Sequence, residues 1–112
     1  MENIRESIKK LLGIPADYTA FDPDITMHIN TVFLTLAQLG VGPPNAFSLK
    51  DGTEIWSDFI PEDQPNFEAI KTYIGLKVRL IFDPPTSSAH MESIKQVISE
   101  LEWRLNFAAE SK

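Results

Sequence analysis

The chain has no cysteine among its 112 residues, which excludes disulfides, thiolate metal sites and a cysteine nucleophile. Histidine is almost as scarce: His28 and His90 are the only two, and neither has a ligand partner three or four positions on. Basic residues are also few, with 10 Lys and Arg against 16 Asp and Glu and a net charge of -6. A duplex-binding protein normally carries a basic stripe that displaces phosphate counterions, so this balance argues against one. It is compatible with an acidic wall past which DNA slides. No apolar run approaches the roughly 20 residues of a membrane span. Met1–Leu12, with Glu2, Arg5, Glu6, Lys9 and Lys10, has no apolar stretch of signal-peptide length. The expectation is a chain of the cytosol of the cell that produces it, with no membrane contact. Gly40 and Gly42 lack the spacing and the lysine of a phosphate-binding loop, and nothing else suggests a cofactor.

What is present suits one folded domain over residues 1–112, since an apolar fraction of 43% is normal for a globular protein. Ile4, Ile8, Leu11 and Leu12 share one face of a first helix, Glu2 to Leu12, stopped by Gly13 and Pro15. Asp22-Pro23-Asp24 starts a second, with Asp22 placed to cap free amides. Ile25, Ile29, Val32, Leu36 and Leu39 form its stripe, Gly40 its left-handed stop, and Gly42-Pro43-Pro44 its exit. The stretch from Asp63 to Phe82 satisfies both periods. Ile74, Leu76, Val78 and Leu80 alternate like a strand, while Phe67, Ile70, Ile74, Val78 and Ile81 follow helical spacing. An uninterrupted run of about 18 residues exceeds the usual strand of 5–6, so helix is preferred. Gly75 within it marks a point of close packing. Asp83-Pro84-Pro85 ends that element, Ser87 or Ser88 caps a last helix to about Ala108, and residues 108–112 form a short tail. Its stripe is Met91, Ile94, Ile98, Leu101, Leu105 and Ala108, beside a Glu100–Arg104 pair.

Between the second and third helices, Phe47 and Leu49 alternate with polar residues up to Asp51-Gly52, and Thr53, Glu54, Ile55 and Trp56 follow. An Asp-Gly pair between short β-prone runs predicts a β-hairpin over about 46–57. The predicted fold is therefore mostly α, a small four-helix bundle with an inserted β-hairpin between helices 2 and 3.

Catalytic constellations do not assemble. Asp83, Ser87, Ser88 and His90 supply the residue types of a triad, but as neighbours in one loop they read as turn and capping residues. Glu100 and Glu102, two apart on a helix, do not face each other. Surface features are more informative. From Asp51 to Glu68 lie Asp51, Glu54, Asp58, Glu62, Asp63 and Glu68, with no Lys or Arg. Glu54, Asp58, Glu62 and Asp63 are candidates to face a partner or a DNA passage, with an ordinary solvated loop as the alternative. Trp56, Phe59 and Ile60 interleave with these acids; core packing is their default and a subunit interface the rival, and Phe47, Leu49, Asp51, Trp56 and Phe59 are carried as interface candidates. An interfacial Trp56 predicts that Trp56→Ala stays folded. Trp103 and Phe107 lie off the stripe of the last helix, so either that helix is central in its own bundle or its second apolar face meets another chain, the reading preferred here.

Three segments, Ile25–Gly42 (ITMHINTVFLTLAQLGVG), Tyr73–Ser88 (YIGLKVRLIFDPPTSS) and Ile94–Asn106 (IKQVISELEWRLN), resemble the head-tail connector or adaptor proteins of siphophages and prophages of Gram-positive bacteria. The resemblance implies a non-enzymatic virion protein at the head-tail interface, assembled as a dodecameric ring beneath the portal protein. Such a ring extends the DNA channel without sequence-specific binding and receives the stopper or tail-completion protein. In that family the C-terminal region tends to engage the portal, and the hairpin loop the neighbouring subunits or the next ring. The rival reading is a small acidic prophage-encoded regulator, a host-protein inhibitor or DNA mimic.

Overall fold

Stripes spaced four and three apart become helices in the computed structural model, which describes residues 3–43 and 45–110. Glu2 of the expected first helix, Pro44 of the expected exit, and Ser111 and Lys112 of the tail lie outside the described residues. The element order is α1 (Ile4–Leu11), α2 (Asp22–Gln38), the single turn α3 (Trp56–Phe59), α4 (Phe67–Phe82) and α5 (Ser88–Glu110). The ambiguous segment is thus helical. It begins at Phe67 rather than near Asp63, because Pro61 and Pro65 hold residues 61–67 in successive turns.

α4 is the central element. α2 and α5 both pack along it, and α1 lies across α2 and α4. The chain forms a slab of 40 × 35 × 21 Å, about two helix diameters thick. The core joins Ile4 and Ile8 of α1, Ile25, Ile29, Val32, Phe33 and Leu36 of α2, Ile70, Tyr73, Ile74 and Val78 of α4, and Ile94, Ile98 and Leu105 of α5. α2 ends as its sequence suggests. Gly40 takes φ +87°, the Val41 amide donates to Leu36 O at 2.9 Å, and the Gly40 amide donates to Ala37 O at 3.1 Å. At the other end Asp22 is not a cap. It is the first residue of α2, and its carboxylate turns to Lys9 and Arg5 of α1. Ser87 starts α5 by accepting the His90 amide on its hydroxyl.

The inserted β-hairpin does not form: no β-strand occurs among the described residues. The turn is present, with Gly52 at φ +81°, but the two arms do not pair with each other. Side chains take their backbone groups instead. Asn30 of α2 accepts the Leu49 amide at 2.6 Å and donates to Leu49 O at 3.1 Å. Glu54 accepts the Lys50 and Gly52 amides at 2.7 and 3.0 Å, closing the loop on itself. The second arm pairs with the N-terminus: Ile55 forms an isolated antiparallel bridge to Asn3, and the Ile4 amide donates to Glu54 O at 3.0 Å. Asp58 then accepts the Ile55 amide at 2.9 Å and turns the chain into α3.

α1 and α4 meet at Gly75, where an added Cβ would lie 2.7 Å from Leu11 Cδ1. Leu11 is 58% exposed, so its tip can turn aside. Gly75→Ala is expected to leave stability unchanged or raise it by up to ~1 kcal/mol, the helix-propensity difference, in urea denaturation. Lys9→Met removes a fully buried ammonium from Asp22 and from two carbonyls, and is expected to cost about 2–4 kcal/mol in the same assay.

Candidate functional site

The candidate residues separate into two sets. Trp56, Phe59 and Leu49 are core: they are 1%, 5% and 4% exposed. The Trp56 indole donates to Ser7 Oγ at 2.9 Å, its ring meets Phe67 edge-on at 5.7 Å, and Lys71 lies over it at 5.6 Å. Phe47, half-buried, packs with Phe33 and Phe59, their ring centroids 4.6–5.5 Å apart. This aromatic cluster pins the 41–60 segment to α2. Core, the default alternative for these residues, is where they lie.

The acids near them serve the backbone. Glu54 and Asp58 hold the turns just described. Asp51 accepts the Thr53 hydroxyl at 2.7 Å and its amide at 3.0 Å, bonds that hold its carboxyl below the usual aspartate range. Glu62 and Asp63 are exposed in the loop before α4.

Trp103 and Phe107 behave differently. They are 68% and 59% exposed and stack at 5.5 Å with planes 15° apart, forming a ridge on the side of α5 opposite its core stripe. Beside the ridge, Glu100 and Arg104 form an ion pair at 2.6 Å, and with Val97 and Leu101 they line an open depression of about 260 Å³. The buried side of α5 is fixed to α4 by Glu102, which accepts the Tyr73 hydroxyl at 2.6 Å and lies 3.8 Å from Lys77. Burial of Tyr73 first, and its bond to Glu102 second, raise that phenol above its ordinary range and keep it a donor. The ridge is therefore carried on a rigid backing. Large rigid aromatics on such backing are the side chains that dominate protein interfaces.

A second face escaped the sequence reading. Met27 and Leu34 are 58% and 54% exposed, and with Thr31 and Gln38 they form the outward side of α2. The available signal was an absence: from Ile25 to Leu49 the chain has no Asp, Glu, Lys or Arg. A solvated helix face normally carries charge, and charge is what interface centres lack.

Asp83, Ser87, Ser88 and His90 all lie exposed at the start of α5, where Ser87 is engaged as a cap. His28 is half-buried near the Phe82 ring. Among the described residues no three acidic or histidine side chains gather to hold a metal ion, and no helix is long and apolar enough to cross a membrane.

Two substitutions separate the sets. Trp56→Ala is expected to cost about 3–5 kcal/mol in thermal or urea unfolding, opposite to the outcome an interfacial Trp56 would give. Trp103→Ala is expected to change stability by no more than about 0.5 kcal/mol.

No curated protein and no solved structure matches the chain. A family model does, that of the phage connector protein, and the match runs over residues 4–112. It therefore takes in all five helices, the aromatic ridge and the neutral face of α2, and the chain belongs to the phage connector protein family.

Proposed function

We propose that the chain is the adaptor of a head-tail connector: a ring of copies bound beneath the portal protein, which prolongs the DNA channel and receives the stopper or tail-completion protein. The observation that carries this reading, given a family of structural connectors, is the stacked Trp103–Phe107 ridge. A chain of this size that leaves one of its two indoles 68% exposed on a well-backed helix is shaped to be completed by another protein. The dodecameric state is the number of copies such a ring would hold around a portal.

The charge of -6 supports the passage of DNA rather than its capture. A channel wall that attracted phosphate would hold the duplex through counterion release, whereas an acidic wall leaves it free to slide. Glu62 and Asp63, exposed and not used to hold local backbone, are the best placed acids for that wall or for a partner. The DNA-mimic reading is weaker, because Asp51, Glu54 and Asp58, half of the six acids between Asp51 and Glu68, hold local turns, and Glu68 lies 3.8 Å from Lys71.

The test is co-sedimentation of the purified chain with DNA-filled, portal-bearing phage heads, imaged by electron microscopy. A ring of added density at the portal vertex is expected. A well-folded chain that stays in the supernatant would overturn the adaptor reading.

A further inference from the structure

The neutral face of α2 needs a neutral occupant. Burying Met27, Thr31, Leu34 and Gln38 against a surface that carries charge would strand that charge without a partner. A duplex is excluded as occupant on the same ground, since the face offers its phosphates no cation. The α1 side of the chain exposes Lys10, and the loop before α4 exposes Glu62 and Asp63, so neither is suitable. The ridge of α5 is. Trp103 and Phe107 carry no charge, and Glu100 and Arg104 beside them neutralise each other at 2.6 Å.

Geometry keeps the two faces apart within one chain. α2 and α5 each pack along α4 and not along one another. They touch near their C-terminal ends, where Asn106 Nδ2 donates to Leu39 O at 3.2 Å. Each turns its core stripe inward, so the ridge and the neutral face point away from the shared core. A contact between them must join two copies. When every copy gives its ridge to one neighbour and takes a ridge from the other, the contact is head-to-tail, the arrangement a ring requires.

We propose that the outward face of α2, centred on Thr31 and Leu34, is the seat for the Trp103–Phe107 ridge of the next copy of the chain. This rests on the adaptor-ring reading and names its subunit contact. The absence of native cysteine makes a direct test clean. Thr31→Cys, within the seat, and Ser99→Cys, beside the ridge, both at positions exposed in the single chain, are combined and treated with a short bis-maleimide on portal-bearing heads. A ladder of cross-linked multimers is expected, lost when Leu34→Glu is added, with circular dichroism unchanged. Head-bound chains that give no ladder, or a ladder that survives Leu34→Glu, would overturn this contact while leaving the adaptor role standing. If the unsubstituted chain does not bind heads at all, the adaptor reading fails by itself. The contact is then decided on the free double-cysteine chain at high concentration, where a Leu34-dependent ladder supports it and monomers alone overturn it.

Discussion

The buried ammonium of Lys9 is the constraint on which the rest of the architecture depends. It is 1% exposed, donates to Ala16 O at 3.1 Å and Tyr18 O at 2.7 Å, and lies 2.8 Å from Asp22 Oδ1. Asp22 Oδ1 accepts no aligned hydrogen bond, so that last contact is a close ion pair. A lysine so deeply buried is tolerated only when its charge and its protons are taken up. Here the partners come from the irregular 12–21 segment and the first residue of α2. That segment has no helix of its own to fix its course, and the ammonium fixes it. α1, at 8 residues, is far too short to be stable alone, yet it organises both neighbours. Asn3 Nδ2 donates to Gly52 O at 2.6 Å, Ser7 receives the Trp56 indole, and the Ile4 amide holds Glu54 O. Once Lys9 sets α1 against α2, the long segment after α2 has a surface to close on.

The parts of the fold that were legible in the sequence are those whose determinants repeat locally. The stripes of α2 and α5, the Gly40 stop and the Glu100–Arg104 pair each need only residues within a few positions. The helix at Phe67–Phe82 was readable from its length, although its alternation imitated a strand. The hairpin failed for the opposite reason. Asp51-Gly52 does make a turn, but strand pairing depends on which acceptors reach the arms first, and Asn30, Glu54 and Asn3 reach them. Two of those three lie 19 or more positions from the groups they bind, and no local pattern encodes that. Asp22 misled in a similar way: it has the form of an N-cap, and a buried lysine in another helix claims it.

Candidate site residues divide along the same line. The exposure of Trp103 and Phe107 was readable because a helical wheel alone puts them opposite their stripe. Trp56 and Phe59 were not, since whether an aromatic in a loop is core or contact depends on what folds over it. The outward face of α2 carries no conspicuous residue of its own. Its information is the missing charge between Ile25 and Leu49, which matters only once Met27 and Leu34 are known to face solvent.

These features fit one physical requirement on a connector subunit, which must be soluble alone and sticky in company. A chain that exposed a large continuous apolar patch would aggregate before finding its template. Here the exposed apolar groups are dispersed: beside the α2 face and the α5 ridge, Leu11, Tyr18, Phe21 and Ile81 lie exposed elsewhere on the surface. Neither face alone exposes much: one offers two stacked rings, the other a methionine and a leucine among threonine and glutamine. The net charge of -6 adds a mild mutual repulsion between free copies. A single ridge-and-seat contact between two free chains is therefore small. On a template that holds the copies side by side, each new contact forms at the high effective concentration the template sets, and weak pairwise contacts become sufficient. On the adaptor reading, keeping the α2 face and the α5 ridge small, separate and dissimilar lets one short chain stay dispersed when free and close a ring at the portal.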